Sequence, residues 1–109
     1  MKLLDNLFGR GSHSLNQYLA NGALIVDVRT VIEFEAGHIS QSKNIPLKKL
    51  ESSLVEIKRM KKPLILCCAS GMRSRQATSY LKSQGIDCVN GGGWSKVERF
   101  IRNLEKKEG

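Results

Sequence analysis

Cys67-Cys68-Ala69-Ser70-Gly71-Met72-Arg73-Ser74 brings two adjacent thiols, two hydroxyls, a glycine and a guanidinium into one short segment. The segment begins where the apolar run Leu64-Ile65-Leu66 ends, and a helical pattern starts within it at about Arg73. A tight turn at such a junction aims successive backbone N–H groups at one point, forming an anion-binding nest. The following helix adds its own free N–H groups and the positive end of its dipole. A cysteine in that cradle is held as thiolate, its pKa drawn from about 8.5 toward roughly 3.5–7.5. A thiolate at neutral pH is a nucleophile, and the same cradle holds the anion it attacks. Gly71 lets the chain curl, Ser70 and Ser74 each offer a hydroxyl, and Arg73 brings fixed positive charge.

The chain supplies elements able to place this loop. Ser14-Leu15-Asn16-Gln17 has the form of a capping box opening a short helix that Asn21-Gly22 closes. Ala23 to Val28 is a nearly continuous apolar run, as in a strand buried on both faces. Thr30-Val31-Ile32-Glu33 is a second capping box, for a helix ending by Gly37. Asn44-Ile45 forms a brief strand before Pro46, and Leu47, Leu50, Leu54 and Ile57 mark one helix from about Leu47 to Met60, stopped by Pro63. Leu64 to Cys67 is another buried strand, Arg73 to Gln84 a helix ended by Gly85, and Ile86 to Val89 the last strand. Gly91-Gly92-Gly93 reads as a flexible bend before a final helix striped by Trp94, Val97, Ile101 and Leu104.

Strands alternating with helices imply an α/β fold, a parallel sheet covered on both faces. Ligands of such sheets bind beyond the carboxyl ends of the strands. That rule selects two places: Cys68 to Ser74, and Asp27-Val28-Arg29. Asp27 and Arg29 are candidate supporting residues. Asp27 reads as an ion pair or cap at the strand's exit, and Arg29 either shares that role or faces the loop and attracts an anionic substrate.

The remaining composition narrows the function classes. The three cysteines, an odd number without an export signal, argue for reduced thiols and not a disulfide framework. No C-x-x-C occurs and His13 and His38 are isolated, so neither a metal nor another cofactor is expected. Cys88, among apolar neighbours, reads as core. Many of the charges behind the net +8 sit in basic doublets at or near element ends, which reads as a solubilising surface or, alternatively, as a field that steers an anionic partner. Six aromatics without basic interleaving give no support for nucleic acid. No apolar run approaches the roughly 20 residues of a membrane helix. Asp5 and Asn6 interrupt the apolar start, so it is no signal-peptide core, and a cytoplasmic chain of one domain over residues 1–109 is expected.

Taken together, the motifs Leu24-Ile25-Val26-Asp27-Val28-Arg29-Thr30, Glu33-Phe34, Gly37-His38-Ile39, Asn44-Ile45-Pro46, Cys68 to Ser74 and Gly91-Gly92-Gly93-Trp94 resemble the rhodanese homology domain in order and spacing. The resemblance runs from about Ser14 to Phe100. It implies a three-layer α/β/α fold around a mainly parallel sheet of about five strands. It also implies a thiosulfate sulfurtransferase chemistry. Cys68 would attack a small anionic sulfane-sulfur donor such as thiosulfate, carry the sulfur as a persulfide, and pass it to a thiol or sulfur-carrier acceptor. By position, Cys68 matches the catalytic cysteine, Ala69, Ser70, Gly71, Met72 and Arg73 match the rest of the loop, and the Gly-His-Ile turn matches a scaffold feature. The chain departs from the family where Cys67 replaces an aromatic or aliphatic residue, Val31 a frequent proline, and Ala69 a larger or charged residue that shapes the pocket mouth. The loop also lacks the Gly-Val-Thr ending of many dedicated thiosulfate and mercaptopyruvate enzymes.

Two other readings follow from the same residues. Counted from Cys67, five residues precede Arg73 and Ser74, a spacing that resembles cysteine-dependent phosphatases and arsenate reductases; from Cys68 there are four. The larger cradle suits a tetrahedral oxyanion and the smaller one a sulfane sulfur, and the distance from Pro63 favours Cys68. Cys67 would then be a packing residue or a resolving thiol. A non-catalytic rhodanese-type binding module is the third reading, set against the intact cysteine loop.

Overall fold

The computed structural model describes residues 10–108. The reading of Met1 to Gly9 lies outside the described residues. The sheet is built from β1 (Leu24–Asp27), β2 (Lys43–Asn44), β3 (Leu64–Cys68) and β4 (Cys88–Gly93), ordered β2-β1-β3-β4 with every neighbouring pair parallel. The central strands are the apolar runs. Leu24 pairs with Leu64 and Asp27 with Cys67, so β3 runs one residue beyond β1, to Cys68.

Side-chain alternation sends each strand's residues into two cores. Val26, Leu64, Leu66 and Cys68 pack on one face with Leu50, Ile57, Ala77 and Leu81. Ile25, Ile65 and Cys67 pack on the other with Leu15, Ile39 and Val97. The two adjacent cysteines therefore point to opposite sides of the sheet.

Helices cover both faces: α1 (Arg10–Ala20), α2 (Val31–Ala36), α3 (Leu54–Met60), α4 (Met72–Ser83) and α5 (Trp94–Glu108). The α/β architecture is as expected, but several local expectations need correction. Among the described residues the sheet has four strands, not about five; the residues' own patterning marks four, and the fifth came only from the resemblance. α1 starts upstream of Ser14, placing that serine inside the helix, where backbone N–H groups already bond one turn back. The expected helix from Leu47 to Met60 is two pieces, a 3-10 turn over Leu47–Lys49 and then α3. Between them Ser52 Oγ donates to Lys49 O (3.1 Å), the local competition that a serine side chain offers a helix. Lys61, in a left-handed conformation (φ 52°), closes α3 before Pro63 is reached.

The triple glycine is likewise not a free bend. β4 continues through Gly93, with a bulge that pairs Leu66 with Asn90 and Cys67 with Gly92, skipping Gly91. This extension carries β4 alongside the end of β3, against the loop that follows Cys68. None of the described helices is long and apolar enough to cross a membrane.

Candidate active site

Cys68 is the last residue of β3, and α4 begins four residues later at Met72. Gly71, at φ +102°, reverses the chain between them in a conformation that other residues rarely adopt. The reversal aims backbone donors at sulfur: Gly71 N–H donates to Cys68 Sγ at 3.0 Å and Ser74 N–H at 3.3 Å. Ser74 Oγ lies 3.4 Å from the same sulfur. Burial raises the pKa of the Cys68 thiol, but the Ser74 hydroxyl and the amides of Ser74, Gly71 and Ser70 outweigh it and hold the thiol below its ordinary value.

The other thiols move the opposite way. Burial, with the Asp27 carboxylate close by, pushes Cys67 up to about 12. Burial likewise pushes Cys88 up to about 11. All three cysteines are free, and Cys68 alone sits where an anion is stabilised.

The rest of the expected loop divides by exposure. Ala69, Ser70 and Met72 form the outer rim, Met72 being 73% exposed, while Ser74 is fully buried beneath the sulfur. Arg73 turns sideways. Its guanidinium makes a two-point contact with Glu33 on α2, with Nη1 to Oε1 at 2.7 Å and Nη2 to Oε2 at 3.0 Å. Glu33 also accepts the Thr30 N–H (3.0 Å), and Thr30 Oγ1 accepts the Glu33 N–H, completing the expected capping box. The Arg73 guanidinium first and the Thr30 amide second hold the Glu33 carboxyl at about 2.

Asp27 and Arg29 form a buried pair, with Nη2 to Oδ2 at 2.7 Å and Nε to Oδ1 at 3.0 Å. Arg29 also donates to the carbonyls of Gly37 (2.7 Å) and Glu33 (3.3 Å), and its guanidinium lies 4.7 Å from the Trp94 ring centroid. Of its two readings the structure takes the first. Arg29 fixes the β1 exit and the Gly37 turn, and its donors are engaged there and not at the loop. His38 belongs to the same scaffold, stacked on Phe34 (3.8 Å) and bonded through Nδ1 to Phe34 O (2.7 Å).

Two further contributors come from β4: Asn90, which no motif announced, and Gly93, whose motif did not reveal its contact with the loop. Asn90 Oδ1 accepts the Ser74 hydroxyl (2.7 Å) and the Gly92 N–H (3.0 Å), while Nδ2 donates to Gly71 O (3.3 Å). Gly93 lies so close to the loop that an added Cβ would stand 2.9 Å from Ala69 O. The one available signal was a polar side chain continuing the apolar run of Cys88 and Val89, since a polar group in a buried strand needs partners.

The groove lined by Leu19, Leu24, Ile39, Lys62 and Ile101, about 590 Å³, is level with the start of β1. It lies at the opposite end of the sheet from Cys68 and does not serve the thiol.

Residues 12–99 match the family described as Rhodanese-like domain. The uncharacterized protein YqhL of Bacillus subtilis is 43% identical over 76 residues, 68% of this chain and 60% of that protein's length. A protein of Allochromatium vinosum named sulfurtransferase is 37% identical over 80 residues, 72% of this chain and 74% of that one. Among solved structures, the rhodanese-like domain protein of Staphylococcus aureus is similar, with a TM-score of 0.66 and 31% identity. That match covers 80% of this chain and 86% of the solved one.

Proposed function

Because the chain belongs to the rhodanese-like domain family, whose members include sulfurtransferases, we propose that it moves sulfane sulfur through a persulfide on Cys68. One observation carries this reading: the Gly71 and Ser74 amides converge on Cys68 Sγ and on neither other thiol. With thiosulfate as donor, the Cys68 thiolate attacks the outer sulfur, a new S–S bond forms, and the donor's S–S bond breaks. Sulfite leaves with the electron pair, and the sulfur stays on Cys68 as a persulfide anion. An acceptor thiolate or cyanide then attacks that outer sulfur, and the Cys68 thiolate is regenerated. No net oxidant is needed.

The loop amides that stabilise the thiolate also favour the persulfide anion, because both put negative charge at the same point. The tight cradle supports a small anionic donor, and the exposed rim of Ala69, Ser70 and Met72 leaves room for a thiol or sulfur-carrier acceptor. Three free cysteines suit a reducing compartment, the cytoplasm. The phosphatase register has no comparable support, since Cys67 faces the other core.

Intact mass before and after thiosulfate tests the reading. The native chain is expected to gain one sulfur atom, lost again on adding cyanide, and Cys68→Ser to gain none. A native chain that gains nothing from thiosulfate or mercaptopyruvate, or a Cys68→Ser chain that still gains sulfur, overturns it.

A further inference from the structure

Ser74 is fully buried, and its hydroxyl has one proton with two acceptors in reach. Asn90 Oδ1 is 2.7 Å from Ser74 Oγ, and Cys68 Sγ is 3.4 Å from it. The Asn90 amide cannot turn over to relieve the competition. Its Oδ1 accepts the Gly92 N–H and its Nδ2 donates to Gly71 O, so the flipped amide would set donor against donor and acceptor against acceptor.

With Cys68 neutral, the three side chains form one directed chain: the S–H donates to Ser74 Oγ, and the Ser74 O–H donates to Asn90 Oδ1. With Cys68 ionised, that order cannot persist. Either the hydroxyl turns to sulfur and gives up its shorter bond, or it stays on Asn90 and leaves its oxygen lone pairs facing the thiolate. We infer that Asn90 is a positioning residue for the reacting thiol: by holding the Ser74 hydroxyl proton it opposes ionisation of Cys68 and sets how much thiolate the loop presents. The inference rests on Cys68 being the reacting thiol.

Such a counterweight has a chemical use. The nucleophilicity of a thiolate falls as its pKa falls, and attack on sulfur is fastest when the pKa lies near the ambient pH. The loop amides and the Ser74 hydroxyl pull the pKa down, and Asn90, by competing for that hydroxyl, limits the descent. The other titratable groups around Cys68 are engaged elsewhere or neutral, and substitution of Asn90 or Ser74 keeps them unchanged. Arg73 on α4 is paired with Glu33 on α2, Asp27 on β1 is paired with Arg29, and Cys67 on β3 and Cys88 on β4 are held neutral by burial.

The test is the pH dependence of Cys68 alkylation by iodoacetamide in the full chain, with the modified residue located by peptide mass spectrometry. No sulfur donor is involved. Asn90→Ala is expected to lower the alkylation midpoint by about one pH unit, because the freed hydroxyl turns to the thiolate. In a Ser74→Ala background the same substitution is expected to shift nothing. A residue that only braced the loop would behave otherwise: its loss would loosen the amides and raise the midpoint in both backgrounds. A rise, or no change, overturns the inference.

Asn90→Asp keeps the acceptor and strengthens it, so it carries the test if Asn90→Ala does not fold. It is expected to raise the midpoint, and by more with Ser74 present than in Ser74→Ala. Equal rises in both backgrounds, the mark of charge alone, overturn the inference. Failure of the sulfur-transfer reading appears separately, as shifted midpoints in a chain that takes no sulfur from thiosulfate.

Discussion

Cys67 and Cys68 are neighbours at the end of β3, with 0% and 1% of their surfaces exposed, yet one sits in an apolar core and the other faces a ring of backbone amides. Burial is therefore shared and does not distinguish them. The difference comes from the pleat, which turns consecutive side chains to opposite faces, and from the loop, which folds its N–H groups over one face only. Thiol reactivity here is a property of where the backbone points. A second pair makes the same point for charge. Asp27–Arg29 is sealed inside and holds the scaffold, whereas Glu33–Arg73 is about a third exposed and borders the thiol's loop.

The sharpest way to break the first comparison is to exchange the roles of the two thiols. Cys68→Ser is expected to abolish sulfur loading, while Cys67→Ala, which removes a packing group from the far face, leaves loading intact. Loss of loading in the Cys67 variant alone, read by intact mass, would restore the other register.

Gly93→Ala should have the next largest effect. Its Cβ meets Ala69 O at 2.9 Å, a backbone atom that yields only if the loop moves. Overpacking of this kind costs about 1–3 kcal/mol, read as a lower urea midpoint, and Cys68 alkylation should slow because its amides move with the loop. Unchanged stability and alkylation would show the approach of β4 to be incidental.

A difference in pH response sharpens the contrast further. The folded pKa of Cys67 is raised, so the unfolded chain loses that proton first. Its contribution to stability is complete below the ordinary thiol value of about 8.5 and is lost as pH rises toward the folded value of about 12. The slope approaches about 1.4 kcal/mol per pH unit over that window. Cys68 has the opposite sign: its folded pKa is lowered, so its contribution is present above the ordinary thiol value and is lost as pH falls through the folded one. Cys67→Ala should therefore lose less stability than the native chain between about pH 9 and pH 10. Parallel losses in the two chains, measured by urea unfolding, would remove Cys67 from the account.

Glu33→Gln should have the smallest effect. It breaks a partly exposed pair at the mouth of the site, so only a slight lowering of the urea midpoint is expected. High salt should narrow the gap between variant and native chain, and a gap that salt does not touch would mean that packing, not charge, is what the pair supplies.

Much of this arrangement is legible along the chain because it is local. The buried strands β1 and β3 are nearly continuous apolar runs, the Thr30–Glu33 box lies within one turn, and the cysteine–glycine–arginine loop is contiguous. What escapes reading is made by distant segments or hidden by an intact pattern. Leu47, Leu50, Leu54 and Ile57 keep helical spacing across a break, because all four still face one core, and only the two serines mark the interruption. Ser14 has the composition of a cap without the position of one. Asn90 acquires its partners only when β4 is laid beside β3, and the glycines after it look like slack until the loop is found pressed against them.

Glu33 is engaged on two sides at once, closing the first turn of α2 through Thr30 and gripping Arg73 at the first turn of α4. A single carboxylate thus joins two segments forty residues apart. The starts of α2 and α4 are thereby tied at one point, and a change at position 33 is felt at Thr30 and at Arg73 together.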